Sequence, residues 1–343
     1  MAEAEKKLNR ITIISLIVSI VVFAIVFVLA LMLGRYQIKI DDFFKAVFTS
    51  DSSVDTQRSI IVNLRFPRTI MAAFVGVGLS VSGLLYQETF RNKLVSPDLL
   101  GVSTGASVGA ALAIVLGLSS ALISVFAFLM GLLTVFITVM ISKLFRNGSS
   151  TILLLSGIIV GGFMSAILSM IKYFSYDITT LASITYWLMG SFESANMNRD
   201  YILMGVVVVC VIVLLLISHP INLVNQGKAE AQTKGINYNF YRGLIILLAT
   251  VLTAISVCFC GTISWIGLVI PHIVRLLAGR NAKRTIPLCI TFGGTFMIVV
   301  DILSRTFTDS EIPLSAVTGL LGTIIFIVIL IIKRRKLNEH KDI

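Results

Sequence analysis

Residues 11–33 read ITIISLIVSIVVFAIVFVLALML, a run of 23 residues without a charged side chain. A helix needs about 20 apolar residues to cross the hydrocarbon core of a bilayer, so this run predicts a transmembrane helix. It is too long for the apolar segment of a signal peptide, and no small-residue cleavage site is evident after it. We therefore expect residues 11–33 to stay in the protein as its first span.

The rest of the chain repeats this pattern. Hydrophobic residues make up 57% of the sequence and charged residues only 13%, whereas soluble domains carry about 25% charged residues. Nine further apolar runs predict spans at residues 69–86, 99–116, 121–141, 152–171, 201–218, 243–260, 263–278, 286–303 and 317–332. The sequence thus predicts an all-α polytopic membrane protein, with about ten transmembrane helices in one bundle and a single domain over residues 1–343.

Two of these runs carry a further expectation. The run at residues 263–278 is short and contains Pro271, which predicts a broken or tilted helix whose freed backbone groups are satisfied by its neighbours. In the third run, Gly101, Gly105 and Gly109 recur every four residues. Small residues at this spacing line one helix face, so they predict close packing against another helix.

The distribution of Lys and Arg predicts the topology. With the N-terminus inside, eighteen of these residues fall in internal segments and nine in external ones, which favours both termini in the cytoplasm. The external residues concentrate between Arg35 and Arg68 and require a separate explanation. Residues 41–48 and 178–189 predict short helices on the outer surface, and residues 222–235 form a polar cytoplasmic segment.

Acidic residues are scarce in the predicted spans. Of 17 Asp and Glu residues, only Asp301 falls inside one. A charge at the membrane centre costs about 2.5–3.5 kcal/mol on insertion scales, so intramembrane carboxylates usually serve transport. This scarcity argues against coupling to a proton or sodium gradient, for which Asp301 and His272 are the candidates.

Enzyme and metal motifs do not occur in the sequence. It contains no HExxH, GxSxG or GxxxxGK[ST] motif. Its four cysteines lie in or beside apolar runs without a CxxC pair, which favours buried thiols over metal ligands. The sequence therefore predicts no catalytic residue, metal site or cofactor of its own, and a membrane enzyme is the least favoured class.

Several motifs together carry a resemblance to a known family. They are RFPR at 65–68, Gln87 with Arg91 and Asn92, LGVSTGA at 100–106, WLMGS at 187–191, GTISWIGLVIPHIVR at 261–275, Asp301 with Arg305, EIP at 311–313 and GLLG at 319–322. In this order they resemble the FecCD-type permeases of ABC importers for ferric siderophores, haem and cobalamin, from residue 65 to the C-terminus. The sequence departs from the family pattern at Lys93, where proline is usual, and at Leu314, where glycine is frequent.

The resemblance implies an assembly in the cytoplasmic membrane. It comprises two permease subunits, identical or homologous, with two cytoplasmic ATPase subunits that bind ATP and magnesium and an extracytoplasmic substrate-binding protein. The implied cargo is a ferric siderophore, with haem or cobalamin as the alternative. No nucleic acid is expected as a partner, because the Lys and Arg residues lie mostly between apolar runs and serve as membrane anchors.

The resemblance also implies three sets of functional residues. The substrate-binding protein would dock on Arg65, Arg68 and Arg305, because the planar guanidinium of arginine pairs bidentately with carboxylates. The implied coupling helix, within residues 222–235, would contact the ATPase through Gly227, Glu230, Ala231 and Gly235. The translocation path would be lined by residues of the fifth and tenth spans, namely Met164, Ser165, Ser169, Met170, Thr318, Gly319, Gly322 and Thr323.

Overall fold

The computed structural model describes residues 2–49, 52–145 and 150–339, and within them the regular structure is helical. The α-helices are α1 (Ala2–Met32), α2 (Ile40–Phe48), α3 (Asp55–Ser59), α4 (Phe66–Phe90), α5 (Val102–Val115), α6 (Ser120–Leu144), α7 (Ser150–Phe174), α8 (Ile178–Met189), α9 (Met197–Leu216), α10 (Ser218–Gln226), α11 (Lys228–Thr233), α12 (Tyr238–Cys260), α13 (Ile266–Ala278), α14 (Ala282–Thr306) and α15 (Leu314–Glu339). A π-helix, Ile60–Arg65, leads from α3 into α4.

All ten predicted spans are helical. Eight described helices are long and apolar enough to cross a membrane: α1, the continuous segment Ser52–Phe90 that ends in α4, α6, α7, α9, α12, α14 and α15. The other two, α5 and α13, have only 14 and 13 residues. At 1.5 Å per residue each is about 20 Å long, shorter than the roughly 30 Å core. The prediction of an all-α polytopic membrane protein is confirmed.

Helix α4 forms the centre of the bundle. In its most apolar window 89% of the residues are buried, against 11% for α1, which lies on the periphery. Close approach of α4 to α14 depends on glycine: a Cβ at Gly76 would lie 2.8 Å from the Gly293 carbonyl carbon. The predicted glycine face of α5 packs on α6 in the same way, since a Cβ at Gly105 would lie 2.7 Å from the Met130 oxygen. The interior therefore depends on direct backbone contact between helices.

Helix α13 contains Pro271 and is nevertheless continuous from Ile266 to Ala278. Proline has no N–H, so the carbonyl four residues earlier, at Gly267, loses its helical donor. The side chain of Gln87 on α4 replaces that donor, with Nε2 3.1 Å from the Gly267 oxygen. The predicted break lies before the helix instead, where residues 261–265 are non-helical and Trp265 has a φ of +71°.

The helix directions define two faces of the bundle. We call the face where α1 begins the terminal face; there Arg284 at the start of α14 pairs with Glu5 at 3.2 Å. The arginine face is the opposite one, where α1 ends and where Arg65, Arg68 and Arg305 lie. Because consecutive spans alternate in direction, α4 and α13 run from the arginine face to the terminal face, and α12 and α14 run back.

The predicted surface helices form at the arginine face. Helix α2 covers the predicted residues 41–48 and buries Phe43 and Ala46 against a cluster that includes Leu31 and Ile61. Helix α8 has the predicted bounds, 178–189, and begins at Asp177, whose carboxylate accepts the backbone N–H of Thr180 at 3.0 Å. Hydrogen bonds from Thr179 and Thr180 lower the pKa of Asp177 to about 2, so this cap is charged at neutral pH.

Candidate functional site

The arginine face contains a network of four charges, three of them buried and the fourth, Glu311, partly exposed. Arg68 on α4 pairs with Asp301 on α14 at 2.6 Å and with Glu311, in the segment between α14 and α15, at 2.7 Å. Arg305 lies one turn beyond Asp301 and pairs with it at 3.2 Å. Asp301 itself is fully buried. Because buried charges are costly unless they are paired, each member depends on the others.

Arg65 and Arg305 also hold the end of α1. Arg65 donates to the carbonyls of Leu31 at 2.9 Å and Met32 at 2.6 Å, and to that of Tyr36. Arg305 donates to the Ala30 carbonyl at 2.5 Å. The last four carbonyls of a helix have no partner within it, and cations are favourable at this end of the helix dipole. The two arginines therefore cap α1.

The three arginines predicted to dock a binding protein are buried within the subunit. Arg65, Arg68 and Arg305 are only 5%, 9% and 6% exposed. Their guanidinium groups bind other groups of the same chain, and together they line a cavity of about 360 Å³ with Arg35 and Glu311. The assigned role of partner docking stays a prediction, whereas the contacts observed join α1, α4 and α14.

The terminal face contains a second buried network, which was not predicted from the sequence. Arg275 in the last turn of α13 pairs with Glu88 of α4 at 3.1 Å and also bonds to the Gln87 side chain. Glu88 in turn accepts from Asn225 of α10. A carboxylate in the last turn of an apolar span, beside Gln87, was the signal available in the sequence. This network joins α4 and α13 to the segment that carries α10 and α11.

The predicted coupling segment consists of α10, Gly227 and α11. Gly227 has a φ of +118°, and a Cβ there would lie 2.9 Å from Nη1 of Arg91, so glycine is required at this position. Gly235 has a φ of +75° with open space around it. Glu230 is exposed and lies 3.6 Å from Lys234.

Ala231 differs from the expectation. It was predicted to contact the ATPase, but it is fully buried in the main core of the subunit. The outward side of α11 carries Lys228, Ala229, Glu230 and Gln232 instead. Ala231 therefore sets the position of α11 on the bundle, and its neighbours are available to a partner.

The eight predicted path residues divide into two groups. Met164, Thr318 and Gly322 are buried inside the subunit, Gly322 against the Trp265 side chain, so a path outside this chain does not reach them in this structure. The other five are at least partly exposed on α7 and α15: Ser165, Ser169, Met170, Gly319 and Thr323. The candidate path surface is therefore smaller than predicted.

Buried acids are more numerous than the sequence suggested. Besides Asp301, Glu88 and Asp200 lie within helices classed as spans and are 7% and 1% exposed. The Asp200 carboxylate has no hydrogen-bond partner among the described residues. His272, the other candidate for ion coupling, is 8% exposed and packs with its ring centroid 5.9 Å from that of Phe326. Asp301 is neutralised by Arg68 and Arg305, which disfavours it as an exchangeable ion site.

The four cysteines are buried thiols, as predicted. Among the residues that the structure describes, no group of three His, Cys, Asp or Glu side chains could hold a metal ion.

Comparisons with known proteins agree with this architecture. Residues 20–332 match the model of the FecCD transport family. The chain is 33% identical over 315 residues to the molybdate import system permease protein of Haemophilus influenzae, covering 91% of this chain and 94% of that one. It is 31% identical over 280 residues to the vitamin B12 import system permease protein of Photorhabdus laumondii, with coverage of 81% and 83%. A probable iron chelatin transport system permease protein of Helicobacter pylori is 32% identical over 280 residues, with coverage of 82% and 85%.

A solved structure shows the same fold. It is described as an ABC transporter of the metal-chelate type in an inward-facing conformation; the TM-score is 0.83 at 34% identity, covering 92% of this chain and 98% of that one. Family, relatives and fold thus agree over nearly the whole chain. The chain belongs to the FecCD transport family and is the permease subunit of a type II ABC importer.

Proposed function

We propose that this permease imports a ferric siderophore, driven by ATP hydrolysis on separate ATPase subunits. The observation that carries the cargo assignment is the chemistry of the candidate path surface. Its five members that are at least partly exposed, Ser165, Ser169, Met170, Gly319 and Thr323, are all uncharged. A bare metal ion would have to lose water against this surface at high cost, whereas a chelate already surrounds its metal with ligand atoms. A relative named for iron chelatin transport supports the same class of cargo.

Molybdate is the second candidate cargo, because a relative that covers 91% of this chain is named for molybdate import. Vitamin B12 and haem stay as further alternatives within the family. Hydroxyl groups such as those of Ser165 and Ser169 can donate to an oxyanion, so the path surface is compatible with molybdate as well.

The ATPase contact is assigned to the outward side of α11. Ala229 and Glu230 are exposed there, and the segment is connected through Asn225 to the buried pair Glu88–Arg275. A displacement of α11 would therefore be passed directly to α4 and α13. This assignment places the terminal face in the cytoplasm, in agreement with the distribution of Lys and Arg.

Docking of a substrate-binding protein is assigned to the arginine face. The exposed cations of that face are Arg35, Lys39 and Lys45, in and before α2. Acidic groups on a binding protein would meet these side chains before the buried Arg65, Arg68 and Arg305. Docking through exposed charges should weaken with salt, because the Debye length is about 10 Å at 0.1 M ionic strength and shortens further as salt is added.

The cargo is tested by uptake. Cells that express the permease with its ATPase and binding protein are given radiolabelled ferric hydroxamate, ferric catecholate, haem, cobalamin and molybdate in parallel. We expect accumulation of a ferric siderophore that is lost when the permease is deleted. Accumulation of molybdate alone would overturn the siderophore assignment and leave the permease role intact.

The coupling contact is tested separately with Ala229→Trp, which adds bulk to the outward side of α11 without entering the core. We expect loss of ATPase binding in pull-down and loss of uptake, while Ala229→Ser retains both. Ala231→Trp is unsuitable because it would overpack the core of the subunit itself. Normal assembly and uptake in Ala229→Trp would exclude this side of α11 as the contact.

A further inference from the structure

A long groove lies between α6 and α12, with one wall residue from α7. Its volume is about 650 Å³. Helix α6 contributes a stripe from Leu132 to Lys143, and α12 contributes a stripe from Asn239 to Thr250. Each stripe covers eleven residue steps, or about 16 Å at 1.5 Å per step. That length is close to half of the roughly 30 Å hydrocarbon core, so the groove spans one leaflet.

The polarity of the groove changes along its length. Lys143, Asn239 and Arg242 lie at its terminal-face end, with Ser142 beside them. Toward the membrane centre the lining is aliphatic and aromatic and includes Val135, Phe136, Ile246 and Leu247. The hydroxyl of Thr250, at the far end, is already bonded to the Ile246 carbonyl and to Tyr86.

Two cations mark the polar end. Lys143 is exposed in the last turn of α6. Arg242 is half-buried, lies 6.0 Å from the centre of the Tyr238 ring and donates to Ser150 at 3.4 Å. None of the described residues that line the groove is acidic. An occupant of this end is therefore expected to carry negative charge.

We propose that this groove is a binding site for one anionic phospholipid. The phosphate lies between Lys143 and Arg242, and one acyl chain lies along the α6–α12 stripes. Basic pockets between transmembrane helices are a known form of anionic-lipid site. A second protein chain fits less well, because an apolar helix in the groove would offer no negative charge to Lys143 and Arg242. The site is independent of the cargo and of the ATPase contact.

Gly243 allows the groove to be blocked without disturbing the fold. It lines the groove, and a Cβ built on it meets no atom within 4 Å. Gly243→Leu would fill the groove next to Arg242, where the acyl chain begins, while improving helix propensity. Gly205 on α9 is a matched control, since it is also helical with open space around it, but it does not line the groove.

The experiment is a lipid titration of the full-length chain, purified in detergent and followed by native mass spectrometry. The probes are palmitoyl-oleoyl phosphatidylglycerol and its phosphatidylcholine analogue. We expect one tight phosphatidylglycerol adduct per chain. Removing both charges in Lys143→Gln/Arg242→Gln should weaken that adduct by about thirty-fold, from about fivefold per cation. The same charge change at exposed positions of the terminal face, Arg280→Gln/Lys283→Gln, should leave it unchanged.

The second pair of variants tests the acyl portion. Gly243→Leu should weaken binding of both lipids, and Gly205→Leu should weaken neither. Glycerol 3-phosphate in excess should not displace the lipid, because the acyl chain contributes most of the contact. Equal phosphatidylglycerol affinity in the wild type, Lys143→Gln/Arg242→Gln and Gly243→Leu would overturn the proposal, as would full displacement by glycerol 3-phosphate.

Discussion

The arginine face and the terminal face both contain a buried arginine–carboxylate network, but the two networks connect different helices. At the arginine face, Arg68, Arg305 and Asp301 join α4, α14 and the end of α1. At the terminal face, Glu88 and Arg275 join α4 and α13 and also reach α10 through Asn225. The first network connects only the ends of the spans. The second reaches α10 through Asn225, and α10 leads into α11. We infer that the first mainly stabilises the bundle and the second mainly transmits movement.

Asp301→Ala should have the largest effect on stability. It would leave Arg68 and Arg305 buried without their shared carboxylate, and removal of one partner from a buried pair costs about 3–5 kcal/mol. Thermal unfolding of the purified chain in detergent checks this. Asp309→Ala, at an exposed position between α14 and α15, is the control and should leave the unfolding temperature unchanged. Equal unfolding temperatures for the two variants would contradict a stabilising role for the arginine-face network.

Glu88→Ala should cost less stability but more transport. Arg275 keeps its bond to Gln87, so we expect a loss of about 2–3 kcal/mol. Since the connection from Asn225 to α4 is also lost, cargo uptake should fall while the ATPase subunits still bind. Unfolding temperature, ATPase pull-down and uptake are measured on the same variant. Unimpaired uptake, with the expected loss of stability, would show that this pair is structural only.

Gln87→Met should have a moderate effect that a second substitution relieves. It removes the donor to the Gly267 carbonyl, which costs about 1–2 kcal/mol, and a partner of Arg275. Pro271→Ala would restore a backbone N–H to that carbonyl. We therefore expect the double variant to be more stable than Gln87→Met alone in thermal unfolding. Strictly additive losses would exclude Gln87 as the replacement donor.

Asp177→Ala should have the smallest effect, because the residue is at the exposed start of α8. Its pKa is depressed to about 2 by hydrogen bonds. The cap therefore contributes its full stability above the pH range in which an ordinary carboxyl titrates, and this contribution is lost as the pH falls toward 2. Between pH 8 and pH 6 the difference in unfolding temperature between wild type and variant should be constant. A difference that changed across this range would indicate that another group titrates with α8.

The sequence sufficed for the helices because their signal is local. Every predicted span is a helix, since a long apolar run in lipid has few alternatives to helical structure. The surface helices α2 and α8 were also predictable, because residues 41–48 and 178–189 carry local amphipathic and capping signals.

The sequence was insufficient for side-chain environments, which depend on distant partners. Arg65 donates to carbonyls 29–34 residues away in the sequence, and Arg68 pairs with Asp301, which is 233 positions away. No local sequence pattern therefore indicated that these arginines are buried. The prediction that Ala231 contacts the ATPase was wrong for the same reason, because the core that buries this residue is formed by other helices. Glu88 was missed because its partners Asn225 and Arg275 lie 137 and 187 positions away.

The central claim is that a separate ATPase drives this permease, and reconstitution tests it most directly. The permease, its ATPase subunits and binding protein are placed in proteoliposomes with the cargo identified by uptake. Transport is measured with internal or external ATP, with ionophores that collapse proton and sodium gradients, and with an ATPase variant that cannot hydrolyse ATP. We predict transport that requires hydrolysable ATP and is unaffected by the ionophores. Transport that continues with the inactive ATPase and stops when the gradients collapse would contradict the account.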